Sequence, residues 1–226
     1  SPIAAPTAPR ELQPLIAATN QVMQRLRHLL RHQKRFVRDA SHQLRTPLAV
    51  PKTQVQSALR GDMPAEQALH EISDTVDRAT QLANQMLALA KVEQLRQQSE
   101  PPITRLDEVL RTVALEISPL IAQRDLDFGI HTEAAPVRAH EWMLRELTRN
   151  LLHNAVRHAP QGSELAVDLR CDAHHTALTI SDCGPGIEPE LAARLFQPFS
   201  AGDVRSGSGL GLTICQEIVQ ALGGSI

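Results

Sequence analysis

Three groups of residues between positions 150 and 212 have the chemistry to hold a phosphorylated ligand, and a histidine far upstream has the chemistry to accept a phosphoryl group from it. Asn150, Asn154 and Arg157 stand four and seven apart, a spacing that brings them to one side of a helix. Asparagine is a poor helix former, so two at one-turn spacing cost stability without evident structural return. Their carboxamide oxygens suit Mg²⁺, and Arg157 suits phosphate. Asp182-Cys183-Gly184-Pro185-Gly186-Ile187 follows a strand in which Leu178 and Ile180 alternate with polar residues. Glycines at a strand end admit close backbone approach, and a carboxylate there can accept from the exocyclic amine of adenine. Gly207-Ser208-Gly209-Leu210-Gly211-Leu212 leads into a helix, whose first N–H groups bind phosphate. It lacks the Gly-Lys-Ser/Thr of a P-loop and the spacing of a dinucleotide fingerprint. Between the two glycine clusters, Leu195-Phe196-Gln197-Pro198-Phe199 reads as the aromatic anchor of a hinged lid.

The upstream histidine is His42, in Ser41-His42-Gln43-Leu44-Arg45-Thr46-Pro47-Leu48. On a helix Phe36, Val37, Ala40, Leu44 and Leu48 fall on one side, with Arg38, His42, Arg45 and Thr46 on another. His42 is therefore expected to stand exposed. An exposed helical histidine is ordinarily a solvated surface residue, and only the downstream clusters give it a partner.

The elements that must position these groups divide the 226 residues in two. Positions 1–10, rich in Ala and Pro, read as a disordered lead-in. From Glu11 apolar residues recur at steps of three and four, which predicts a long amphipathic helix interrupted by Pro47 and Pro51, with a kink just past His42. Arg60-Gly61-Asp62-Met63-Pro64 has turn chemistry. A second helix then carries a narrow seam of Leu69, Ile72, Val76, Ala79, Ala83, Met86 and Ala90. A lone hairpin buries too little apolar surface, so residues 11–99 are expected to dimerise as a four-helix bundle. Ser99-Glu100-Pro101-Pro102 closes that region. Beyond it helices are expected over Leu106–Gln123, His140–His158 and Gly209–Leu222, and strands over Leu126–His131, Val137–Ala139, Glu164–Cys171 and Thr176–Asp182. His174-His175 reads as a hairpin turn, and Gly223 to Ile226 as the start of another strand. Residues 103–226 thus read as an α+β sandwich, with helices layered on one face of a mixed sheet.

Composition excludes several other functions. A net charge of -2 with four Phe and one Trp argues against nucleic-acid binding. Cys171, Cys183 and Cys215 are too widely spaced for a metal motif and read as reduced thiols. His28 and His32 are one turn apart, but Arg25, Arg27, Arg31, Lys34 and Arg35 would repel a metal ion. That basic run reads as a solvated helix face. No apolar run approaches the ~18 residues of a membrane span, and no signal-peptide pattern is present.

The clusters taken in order resemble the cytoplasmic part of a two-component sensor histidine kinase. Ser41 to Leu48 is similar to its H box, Asn150 to His158 to the N box, and Asp182 to Gly186 to the first glycine box. Leu195 to Phe199 is similar to the F box, and Gly207 to Gly211 to the second glycine box. The resemblance implies a dimerising helical hairpin followed by an α/β ATP-binding domain of the Bergerat (GHKL) type. It implies ATP and Mg²⁺ as cofactors, with Asn154 on the metal, Asn150 and Arg157 at the phosphates, and Asp182 on adenine. His158, Gly184, Gly186, Ile187, Phe196, Gly207, Ser208, Gly209, Leu210 and Gly211 would complete the nucleotide site. His42 would take the γ-phosphoryl group and pass it to an aspartate of a response regulator, and Thr46 matches a position that helps orient water in the reverse phosphatase reaction. Arg10 to Leu15 resembles the end of a HAMP linker, which implies a cytoplasmic module of a bacterial inner-membrane protein, with part of the final strand missing downstream. The chain departs from the family where most H boxes carry an acid after the histidine. Here Gln43 can orient the imidazole but cannot take its proton, as in relatives resembling tricarboxylate-transport sensors, which also read His-Gln-Leu-Arg-Thr-Pro. Asp39, one turn earlier, is a conceivable substitute. The lid lacks an arginine at Ala201, which leaves Arg205 as the cation facing the phosphates. The rival readings are a conformational ATPase of the same superfamily and a nucleotide-binding dimerisation scaffold without chemistry.

Overall fold

The computed structural model describes residues 13–14, 19–24, 50–51, 53–96, 100–198 and 209–226. His42, Gln43, Thr46, Pro47, Phe199, Arg205, Gly207 and Ser208 lie outside these residues, as do the lead-in and the basic run around His28 and His32. Contacts group the chain into two compact units that meet at Ala79 and Thr80.

In the first unit, residues 13–14, 19–24, 50–51 and 53–60 are helical, Pro51 included. The helix over 53–60 stops where the Gly61 N–H bonds Ala58 O at 3.1 Å and the Asp62 N–H bonds Ser57 O at 3.0 Å, a Schellman closure. Helix α1, Ala65–Arg96, starts directly after Pro64. It lies beside the first helix, where Gln54 Nε2 donates to Glu71 Oε2 at 2.8 Å. Ala68 and Thr75 are buried, and the Thr75 hydroxyl is satisfied by Glu71 O at 2.7 Å. The expected seam lies on a different face of α1. Leu69 and Val76 are 67% and 51% exposed, and Ile72 and Ala79 are half-buried.

The second unit contains the rest of α1 and an α+β layer, as expected from the mixture of periodicities. Strand β1 (Ile103–Arg105) pairs antiparallel with β3 (Pro136–Arg138). Strand β2 (Asp127–Thr132) pairs parallel with β4 (Glu164–Cys171), which pairs antiparallel with β5 (Thr176–Asp182). The parallel pair needs a crossover, supplied by β3 and helix α3 (Glu141–His158). Leu165, Val167 and Leu169 of β4 point inward at period two, against Leu110, Val113 and Ile117 of α2 (Leu106–Gln123) and Leu144 and Leu152 of α3. Pro119 sits inside α2 at little cost, because the Ser118 hydroxyl donates at 2.8 Å to Leu115 O, the carbonyl that Pro119 cannot serve. On the outer side of α3, Ala88 and Val92 of α1 join Met143, Leu147, Ile214, Cys215 and Ile218 in a second core. Lys91 Nζ lies 4.2 Å from the centre of the Trp142 ring there.

The expected boundaries hold within a residue or two. Strand β1 and the short helix α4, Pro189–Ala192, are additions. The hairpin turn at His174-His175 is present, with both N–H groups bonded to Asp172 Oδ1 at 2.7 Å. Those two bonds hold the Asp172 carboxyl below its usual pKa. The expected strand at Gly223 to Ile226 is not there. Helix α5, Gly211–Ala221, instead ends in a Schellman motif. Gly223 takes φ 75°, its N–H bonds Gln220 O at 3.1 Å, and the Gly224 N–H bonds Val219 O at 2.9 Å. The Gly-Gly pair is a helix cap because φ above zero at the first glycine turns the chain back on itself.

Candidate functional site: a polar helix between two glycine loops

Helix α3 organises the site. Its apolar positions Met143, Leu144, Leu147, Leu152, Ala155 and Val156 are buried between the two cores, which turns Asn150, Asn154, Arg157 and His158 toward the opposite side. Asn154, Arg157 and His158 are exposed and Asn150 is half-buried. His153, beside them, is held below the ordinary histidine pKa by partial desolvation and then by the charge of Arg149.

The first glycine cluster, and Gly211 at the end of the second, both approach this helix. Asp182 ends β5, and its Oδ1 accepts the Gly184 N–H at 2.8 Å. That turn leaves Oδ2 as an acceptor for a ligand amine. A Cβ on Gly184 would lie 2.6 Å from Asp182 Oδ1 and 3.0 Å from His158 O, so only glycine lets the loop pass the end of α3. The contribution of His158 in this structure is thus its backbone carbonyl. Gly186 takes φ 76°, and Ile187 is exposed beyond it. From the other side, Gly211 opens α5 against Asn150, whose Oδ1 is 3.2 Å from where a Cβ on Gly211 would be. Leu210 is fully buried and anchors that end of the loop, with Gly209 at φ 67° before it. Phe196 is half-buried, and its carbonyl accepts the Thr213 hydroxyl at 3.0 Å. The F-box segment is therefore fastened to the first turn of α5.

The structure thus brings Asn150, His158, Asp182, Gly184, Phe196 and Gly211 into one arrangement around α3. Two further residues belong to it. Glu146 is buried at 7% exposure, and its Oε1 accepts Asn150 Nδ2 at 2.9 Å while Arg149 holds Oε2. Thr213 ties the F-box segment to α5 through the Phe196 carbonyl. Glu146 stands one turn before Asn150, a spacing visible in the chain, whereas nothing in the sequence marks Thr213 as the partner of a carbonyl seventeen residues earlier.

The donor set fits a hard cation. Facing the carboxylate and the main-chain oxygen of Glu146, the amide of Asn150 must turn its NH₂ toward them and its Oδ1 away, and oxygen is the ligand atom Mg²⁺ prefers. Among the described residues no cluster of three or more His, Cys, Asp or Glu side chains offers a rival metal site. The cysteines form no disulfide. Cys215 is buried, and its thiol is pushed up to about 12, first by burial and then by Glu146. It is an inert core residue.

Two family descriptions cover most of this chain. "His Kinase A (phospho-acceptor) domain" matches residues 32–95, and "Histidine kinase-, DNA gyrase B-, and HSP90-like ATPase" matches residues 139–226. The chain belongs to the two-component sensor histidine kinases. Sensor protein QseC of Salmonella typhi is 35% identical over 225 residues, covering 96% of this chain and 49% of the relative. Sensor protein kinase PmrB of Pseudomonas aeruginosa is 34% identical over 232 residues, covering all of this chain and 48% of the relative. The chain therefore spans about half the length of these curated relatives. The structure of histidine kinase AdeS of Acinetobacter baumannii is similar at a TM-score of 0.67 and 25% identity, over 82% of this chain and 89% of that one.

Proposed function

We propose that this chain is the core of an ATP:protein-histidine phosphotransferase that phosphorylates His42 from Mg-ATP and passes the group to an aspartate of a response regulator. The observation that carries the reading is the approach of Gly184 and Gly211 to the two ends of the polar face of α3, in a chain that also carries an H box. Asp182 Oδ2 accepts from the adenine amine, the backbone N–H groups at the start of α5 meet the phosphates, and Asn154 and Asn150 offer oxygens to the metal. Mg²⁺, when bound, neutralises charge on the phosphate oxygens. Arg157, with Arg205 from the lid, adds positive charge beside the phosphoryl group. The Thr213 bond to Phe196 holds the F-box segment beside the first turn of α5, at the edge of the nucleotide site. An imidazole nitrogen of His42 attacks the γ-phosphorus in line, and ADP leaves as the P–O bond breaks. Thr46 assists the reverse, hydrolytic reaction.

The seam of α1 supports a homodimer, since Leu69 and Val76 are exposed at heptad spacing and a second copy would cover them. The domain boundaries we favour are a hairpin over 11–99 and an ATP-binding domain over 103–226. We place the module on the cytoplasmic side of a bacterial inner membrane, within a longer sensor protein. Its matched relatives are named as sensors about twice its length, and no described helix is long and apolar enough to cross a membrane.

Incubation with γ-labelled Mg-ATP tests the reading. Wild-type protein is expected to gain acid-labile label and His42→Ala none; label that persists in His42→Ala removes the acceptor assignment. Phosphate release without protein label would instead mark a conformational ATPase, and nucleotide binding without either would mark a scaffold.

A further inference from the structure

A buried carboxylate needs a reason. Glu146 is nine-tenths buried, in the middle of α3 and away from the helix N-terminus where an acidic residue would be favoured. A leucine or methionine at this position would pack without the desolvation cost. The two carboxylate oxygens are instead committed, Oε2 to Arg149 and Oε1 to the side-chain nitrogen of Asn150. The same nitrogen donates to Glu146 O at 2.8 Å. Both groups facing the Asn150 NH₂ are pure acceptors, so the opposite amide rotamer would set oxygen against oxygen twice. The orientation of the amide is thus dictated chemically, and its oxygen lies 3.2 Å from where a Cβ on Gly211, the first residue of α5, would stand.

From this geometry we infer that Glu146 is a positioning residue of the nucleotide site, which sets the polarity of Asn150 so that it presents an acceptor to the metal and withholds its NH₂ from phosphate. The inference rests on the nucleotide reading above. It assigns Glu146 a role in the preference for metal-loaded over metal-free nucleotide, because a rotated Asn150 would offer donors to bare phosphate and nothing to a cation. A residue that orients a ligand side chain without touching the ligand commonly carries about tenfold or more in metal affinity.

The test measures binding of a fluorescent, non-hydrolysable ATP analogue with Mg²⁺ and with a chelator. For the wild type, Mg²⁺ is expected to tighten binding. Glu146→Met, which keeps the volume and removes the acceptor, should shrink that Mg²⁺-dependent gain about tenfold and leave the metal-free affinity nearly unchanged. Glu146→Gln, whose Oε1 can still accept from Asn150, should keep most of the gain. In an Asn150→Ala background Glu146→Met should cost nothing further. Equal losses with and without Mg²⁺, or an undiminished loss in the Asn150→Ala background, would overturn the proposal and make Glu146 a packing residue. If the wild type binds no nucleotide, the nucleotide reading falls and this inference with it. A second measurement needs no substitution: in ¹⁵N-labelled wild-type protein, the Asn150 side-chain NH₂ should exchange with solvent far more slowly than that of exposed Asn154. Equal exchange rates would count against the bond on which the role depends.

Discussion

The side chains at this site are placed by acceptors and by missing atoms. At Gly184 the absent Cβ is what allows Asp182 to fold back on the loop, since a methyl there would come 2.6 Å from Oδ1. Gly184→Ala should force the carboxylate aside and break its bond to the loop N–H. Charge-assisted bonds are worth about 1.5–3 kcal/mol, so affinity for the ATP analogue is expected to fall about tenfold to a hundredfold. Unchanged affinity would take Asp182 out of the adenine role. Gln43 poses the complementary question, because a proton acceptor is missing where the family ordinarily has one. Gln43→Glu is expected to speed autophosphorylation, with about 10²–10⁴-fold as the ceiling set by a general base. An unchanged or slower rate would point to another base, Asp39 being the nearest acid. At this scale the sequence was informative where a residue type was unusual for its setting, as with two asparagines inside one helix. It was silent on Thr213, whose role depends on the fold bringing a carbonyl to it.

Among the elements, periodicity missed the short helix α4 and the strand β1 that leads into α2. Strand β1 is three residues long, too short for any alternation to show. Its place is set by long-range bonds: Thr104 Oγ1 donates to Ala139 O at 2.7 Å, and Leu106 N–H to Ala135 O at 2.9 Å. Asp107, 1% exposed, completes the tie by accepting the Ala135 N–H at 3.0 Å and pairing with Arg105 at 2.8 Å. The Arg105 guanidinium, with Ala135 N–H helping against burial, holds this carboxyl well below the usual carboxylate range. A depressed folded-state pKa contributes stability that is present above the unfolded value, about 3.9, and lost as pH falls through the folded one. Denaturant unfolding should therefore show wild type more stable than Asp107→Ala by about 1–3 kcal/mol at pH 7, since the variant leaves a buried N–H unpaired. As pH falls below about 4 the part of that gap due to the ionised carboxylate should narrow progressively. A gap independent of pH would assign the effect to packing alone. Helix α2, by contrast, was legible to the residue, because five turns of core contacts at helical spacing outweigh a proline whose carbonyl partner Ser118 satisfies.

At the scale of the whole molecule, the proposed second copy has a surface to cover. The first core, around β4, and the second, where α1 meets α3 and α5, close within the protomer, yet the seam of α1 stays uncovered at Leu69 and Val76. Replacing both with aspartate should raise the dimer dissociation constant at least a hundredfold, at about 1.5–3 kcal/mol per buried side chain, measured by sedimentation at decreasing concentration. A dimer that persists would place the interface elsewhere. By itself the sequence determined the class of the chain: a seam that repeats by heptads, a switch to mixed periodicity after Pro102, and boxes whose residue types only make sense around a phosphorylated ligand. Those are local properties, written in spacing. The tertiary structure alone decided how the boxes meet, because it packs β5 and α5 on opposite sides of α3 and so brings residues 182–186 and 211 to one helix. It also turned the expected strand at Gly223 into a cap, since a left-handed glycine closes a helix at no steric cost. And it turned Glu146 from one more charge on α3 into a buried acceptor, because burial depends on which face the two cores cover.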